Sequence, residues 1–269
     1  MRAVVNRLEG ICTRVCARHS PLVEVSTVVG LYAAYEAARG LVAGAREPAI
    51  VRAHDIVRLE THLHVFAEPQ VEAFVRGIPG LLGSLSFAYL TLHLLVTGSV
   101  LAWLYFRRPA AFPVVRTTLL AASGISLVGF LAFPTAPPRL AESALSQGRS
   151  VVDINHGIVS ALYNPYAAVP SMHIGYAAIV GAALVRYGRS PWLRAAGAVY
   201  PCFVLLVIVA TGNHFFFDAA MGLMVAAAAA LLTAGCIRCS AATAFVPVVV
   251  PLDAFRRSDV DPGDVRRAA

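Results

Sequence analysis

Six apolar stretches, each long enough or nearly long enough to cross a bilayer as a helix, follow one another along this chain of 269 residues. They cover about residues 22–42, 78–106, 114–133, 170–184, 195–210 and 215–232. A helix satisfies its own backbone hydrogen bonds, which is what a hydrocarbon environment demands. Composition agrees. Charged residues make up 14%, against roughly 25% in an average soluble domain, while apolar residues make up 58% and mean hydropathy is +0.69. A globule of this size cannot hide so much apolar surface, and a disordered chain does not carry it. The expected fold is therefore all-α: a polytopic bundle of six transmembrane helices. Residues 46–76, mixed and charged with Glu60, Glu68 and Glu72, predict a surface helix between the first two spans. The membrane domain is expected over residues 22–237, between a cytoplasmic N-terminal segment (1–21) and a polar cytoplasmic tail (238–269). The first twenty residues, with Arg2, Arg7, Arg14 and Arg18, contain no long apolar core, so no cleavable signal is expected.

Every basic residue is Arg and none is Lys, a usage expected of a GC-rich, actinobacterial genome. The net charge of +7 comes from arginines beside the apolar stretches. It therefore reads as membrane orientation, with the lipid bilayer as partner and no nucleic acid. The N-terminus, Arg107-Arg108, the turn with Arg186, Arg189 and Arg194, and the tail fall on one side of a six-span protein, which should be the cytoplasm. Arg46, Arg52, Arg58 and Arg76 lie opposite and oppose that orientation. Parity does not depend on it. The loop after the third span, the start of the fourth and the start of the sixth must share one membrane face, expected to be extracytoplasmic. Cys12, Cys16, Cys202, Cys236 and Cys239 are an odd number without a dense framework. They read as packing residues rather than a disulfide scaffold or a zinc site.

The shared face collects the most unusual polar sequence. Pro134-Thr135-Ala136-Pro137-Pro138-Arg139 ends the third span, and Arg139 can grip a phosphate with its planar fork of donors or simply snorkel. In Asn164-Pro165-Tyr166-Ala167-Ala168-Val169-Pro170-Ser171-Met172-His173, Pro170 suits the first position of a helix, whose free amides attract anions. Ser171 adds a hydroxyl there and His173 a proton donor or acceptor. Asn164 and Tyr166 are candidate substrate contacts. In Gly212-Asn213-His214-Phe215-Phe216-Phe217-Asp218, His214 and Asp218 stand four apart and share a helical face. The carboxylate can then fix the imidazole tautomer, and the three phenylalanines can exclude water. No metal-ligand spacing joins these residues, so metal-free phosphoryl transfer without a cofactor fits best.

The order Arg139, Pro170-Ser171-x-His173, His214-x-x-x-Asp218, with six spans, resembles the type 2 phosphatidic acid phosphatase superfamily. Over about residues 133–222, Ala136-Pro137-Pro138-Arg139 and Gly212-Asn213-His214 are similar to its inositol phosphotransferase branch, which includes inositol phosphorylceramide synthase. Two expected phosphate cations are missing. The Lys that opens the superfamily pattern has no counterpart, and its Ser-Arg falls on Val207-Ile208. The resemblance implies that His214 attacks phosphorus, Asp218 orients it, His173 protonates the leaving oxygen, and Arg139 and Ser171 hold the phosphoryl oxygens. It implies a lipid substrate and a phosphotransferase. The alternatives are a lipid phosphate phosphatase acting on a phosphomonoester of the phosphatidic acid or polyprenyl phosphate type, and a non-catalytic transporter or scaffold.

Weaker candidates remain. Glu36 and Arg39 sit one turn apart in the first span, as a functional pair or as a tie to the bundle. Tyr89 and His93 on the second span read mainly as bundle contacts. Asn155 and His156 lie in the catalytic-side loop, and His62 and His64 read as solvated.

Overall fold

A computed structural model describes residues 19–41, 46–141, 164 and 166–244. Among them are nine helices: α1 (Pro21–Leu41), α2 (Arg46–His62), α3 (Glu68–Arg76), α4 (Leu81–Arg107), α5 (Phe112–Ala132), α6 (Pro138–Ala141), α7 (Met172–Tyr187), α8 (Pro191–Ala210) and α9 (Phe216–Ala244). The described residues form no strand beyond one isolated bridge between Thr135 and Ala167.

Among the described residues, four helices are long and apolar enough to cross a membrane: α4, α5, α8 and the Phe216–Arg238 part of α9. Their outward residues are bare hydrocarbon and aromatic surface, with Phe87, Leu95, Phe106, Val128, Trp192 and Leu231 all exposed. The chain is thus an all-helical membrane protein. The expected first and fourth spans are also helices, but of a different kind. α1 carries Glu24, Glu36 and Arg39, and α7 has only 16 residues. α7 is the hub of the bundle, packed against α4, α5, α8 and α9. Small residues let the neighbours come close. A methyl group at Gly222 of α9 would collide with the Ser171 carbonyl oxygen at the start of α7, and one at Gly181 would stand 2.5 Å from the Gly197 carbonyl oxygen of α8.

Local sequence sets the helix ends. Pro191 follows Ser190 at the start of α8, and Pro113 stands in the first turn of α5, where a missing N–H costs no helical bond. The expected placing of Pro170 is corrected: α7 begins at Met172 with Ser171 at the N-cap, so Pro170 lies outside the helix.

The single surface helix expected over 46–76 is two helices, broken around His64, which takes a left-handed backbone (φ 59°). They do not lie apart from the bundle. Arg52 Nη1 donates to the Pro134 carbonyl at 3.0 Å, and the Ala136 amide donates to Ala49 at 3.1 Å. Glu60, Glu68 and Glu72 are buried, not solvated. At the other end of the bundle, the Arg108 Nε donates to the Tyr187 carbonyl at 3.1 Å, which joins the two basic turns. There Glu24 and Arg116 form a buried ion pair at 2.5 Å that fastens α1 to α5. Cys236 is disulfide-bonded, against the expectation of simple packing cysteines.

Candidate active site

The three polar segments placed on one face by parity do converge. The Thr135 amide donates to the Tyr166 carbonyl at 2.7 Å, and the Ser171 amide to the Asp218 carbonyl at 3.0 Å. The Arg139 amide donates to the Gly212 carbonyl at 3.1 Å. α8 ends at Ala210 with Thr211 as its C-cap, and Gly212 turns the chain through a left-handed φ of 63° that a side chain would resist. That turn delivers Asn213 and His214 into the bundle, where both are buried.

His214 lies ahead of α9 rather than on it, so a shared helical face is not what pairs it with Asp218. Asp218 sits in the first turn of α9, and its Oδ2 reaches back to His214 Nδ1 at 3.2 Å and to the Phe215 amide at 3.0 Å. A carboxylate only accepts hydrogen bonds, so the imidazole proton belongs on Nδ1 and the Nε2 lone pair is left for chemistry. Burial, reinforced by the charges of Arg39 and Arg139, holds the His214 imidazole down to about 3, neutral at any physiological pH.

His173 stands in the first turn of α7, its ring centroid 5.9 Å from that of His214. It is held between two side chains of α4: Tyr89 stacks on it at 4.2 Å and His93 meets it edge-on at 4.4 Å. Tyr89 and His93 therefore belong to the site rather than to generic packing. The Ser171 Oγ is buried and has no hydrogen-bond partner among the described residues, so it is available to a ligand. Arg139 is half-buried. Its Nε donates to Asn213 Oδ1 at 2.8 Å, and Asn213 Nδ2 in turn donates to Thr211 Oγ1 at 2.7 Å. Asn213 thus orients the Arg. The Gly212-Asn213-His214 run was the sequence signal for it, but its job shows only once the turn is drawn.

His173 and His214 open on a small cavity, also lined by Tyr32, Tyr35, Glu36 and Arg39 of α1, and by His93, Phe130 and Tyr176. Its aromatic wall comes from α1, α5 and α7. Phe215, Phe216 and Phe217 do not line it; Phe215 and Phe217 pack towards α2, and Phe216 joins the cluster of α4 and α8. Arg139, Ser171, Asn164 and Tyr166 do not line it either. Asn164 Nδ2 donates to the Arg39 carbonyl at 2.9 Å and its Oδ1 accepts from the Tyr166 amide, so it ties α1 to the catalytic loop. Asn155 and His156 lie outside the described residues.

A neutral, oriented imidazole and a second histidine across one small cavity, with Arg39 among the lining residues, suit phosphoryl transfer through a histidine. A family model of the PAP2 superfamily matches residues 54–232. The chain belongs to the PAP2 superfamily. That segment contains both histidines, Asp218, Ser171 and Arg139, and membership marks the protein as a lipid phosphatase or phosphotransferase. No curated protein and no solved structure matches the chain. α1, with Glu36 and Arg39, lies outside the family segment.

Proposed function

We propose that this protein is a membrane phosphotransferase of the inositol phosphotransferase kind, moving a phosphoryl-headgroup from a phospholipid donor to an alcohol through a phosphohistidine. The observation that carries the reading is where the histidine cavity leads. A second, almost wholly apolar cleft between α1, α4 and α5 shares Tyr32, His93 and Tyr176 with it. The cleft runs on past Val28, Val29, Gly98 and Leu101 towards the far end of α1. A phosphate beside His214 with a hydrocarbon tail in that cleft is the shape of a lipid.

In the first step the His214 Nε2 lone pair forms a bond to phosphorus, and the bond from phosphorus to the departing lipid oxygen breaks. His173 supplies the proton that this oxygen needs. In the second step His173 takes the proton of the acceptor hydroxyl, whose oxygen bonds to phosphorus as the P–N bond breaks. Ser171 and Arg139 hold the non-bridging oxygens. Transfer rather than hydrolysis is favoured by the narrow cavity and its aromatic wall, which leave little room for loose water.

The test supplies a labelled phosphodiester lipid, phosphatidylinositol first, with a lipid alcohol, and compares new lipid product with released phosphate. Product that depends on acceptor is expected. His214→Ala should abolish turnover and the phosphoenzyme. His173→Ala should slow turnover yet still become labelled from a donor with a good leaving group. An acid-labile phosphoenzyme in His214→Ala overturns the assignment of roles, and rapid phosphate release from phosphatidic acid without acceptor identifies a phosphatase instead.

A further inference from the structure

A phosphoryl group between His173 and His214 brings negative charge into a buried cavity, and the superfamily's second cationic position is filled here by apolar Val207 and Ile208, both buried in the bundle. Uncompensated, such a charge is costly to bury. One arginine does line the cavity, on a helix outside the family segment. Arg39, on the last turn of α1, lines the same cavity as both histidines. Its charge acts on His214 as that of Arg139 does.

Arg39 is a built feature. The Asn164 side chain holds its carbonyl, and its guanidinium lies over the Phe130 ring, 5.6 Å from the centroid. Nη1 stands 3.4 Å from Glu36 Oε2, and the side chain is only 17% exposed. If α1 needed only a fastening, the Asn164 bond at this end and the Glu24–Arg116 pair at the other would supply it. Neither requires an arginine in the wall of the cavity that both histidines line.

We propose that Arg39 is a phosphate-binding residue: with Arg139 it grips the phosphoryl group between His173 and His214, and Glu36 partly offsets its charge so that the site suits a singly charged phosphodiester. This rests on the phosphoryl-transfer reading above. An arginine fork matches phosphate oxygens in a way that a compact ammonium does not. Glu36, by partly neutralising the guanidinium, lowers the attraction for a dianion more than for a monoanion.

The probe is orthovanadate, titrated into the purified protein in detergent while binding is followed calorimetrically. Arg39→Gln should weaken vanadate binding at least about tenfold, the size expected for losing a hydrogen bond to a charged group. Arg39→Lys should restore part of it, and Glu36→Gln should tighten it. A folded Arg39→Gln protein that binds vanadate as the wild type does overturns the role of Arg39 and leaves the phosphoryl-transfer reading standing. Should Arg39→Gln not fold, Glu36→Gln decides: unchanged affinity there overturns the proposal, and tighter binding upholds it. A wild-type protein that does not bind vanadate removes the phosphoryl-transfer reading and this inference together.

Discussion

At the scale of residues, the site depends on one carboxylate oxygen doing two jobs. Asp218 Oδ2 takes the His214 Nδ1 proton and caps the Phe215 amide. In Asp218→Asn the amide oxygen can satisfy only part of this, and the NH2 group favours the tautomer with its proton on Nε2, the atom proposed to attack. Turnover is expected to fall about 10³–10⁴-fold, by analogy with the loss of tautomer control in a catalytic triad. Single-turnover labelling of His214 should slow in parallel, while the melting temperature changes little. An Asp218→Asn protein labelled at the wild-type rate would make the pair merely structural. The motifs that carry Arg139, Ser171, His173, His214 and Asp218 stand out in the sequence because each has its own local chemistry. Arg39 was visible only as an ionisable residue in an apolar stretch, since no spacing rule joins it to histidines more than a hundred residues away. The sequence assigns Asn213 no chemistry of its own, because its partner Arg139 becomes a neighbour only through the Gly212 turn.

At the scale of elements, the least legible part was the segment between the first two expected spans. Its charge pattern reads as a helix on the membrane surface, yet Glu60 and Glu68 are buried against the start of α9. Glu60 Oε1 accepts from the Phe217 amide at 2.6 Å and Glu68 Oε1 from the Phe216 amide at 2.9 Å. Amides at a helix start lack intrahelical acceptors, and carboxylates favour that end of the dipole. α2 and α3 thereby hold the very turn that carries His214 and Asp218, something composition cannot reveal because the partners lie about 150 residues apart. Burial, hydrogen bonding to Glu68 and the Glu68 charge push the Glu60 carboxyl up to about 9; Asp218 adds to the rise and the Phe217 amide opposes it. The folded protein therefore holds a proton on Glu60 that the unfolded chain gives up above the ordinary value of 4.5. This contribution to stability is fully present below 4.5 and is lost as pH rises to about 9. The melting temperature in detergent should decline across that window in the wild type. Glu60→Gln, which mimics the protonated carboxyl, should flatten the decline and melt higher than the wild type near pH 9. Equal pH slopes for the two proteins would show that Glu60 does not hold the proton.

At the scale of the whole molecule, the bundle has two unlike ends. One gathers the turns after α4 and α7, joined by Arg108 and Tyr187, with the Glu24–Arg116 pair close by. The other gathers α2, α3, the loop after α5, and the starts of α7 and α9 around His214. The periodic apolar stretches made this bundle readable from sequence, because hydrocarbon length fixes helix length. They could not tell a lipid-facing helix from α7, whose short apolar run is enclosed by protein. The two ends fix a prediction about orientation. Leu63, between α2 and α3, is exposed at the site end, and Pro109 and Arg189 lie in the basic turns at the other. Leu63→Cys, Pro109→Cys and Arg189→Cys, each made alone in a protein stripped of its native cysteines, should react with an impermeant maleimide in intact cells as two groups. The arginine-rich turns favour the cytoplasm, so the Leu63→Cys protein should react from outside and the other two only after permeabilisation. The reverse pattern would turn the protein over while leaving the site intact. Reaction of the Leu63→Cys and Pro109→Cys proteins from the same side would mean that α4 does not cross, and a lipid site shared by α4, α7 and α9 could not then stand at one membrane face.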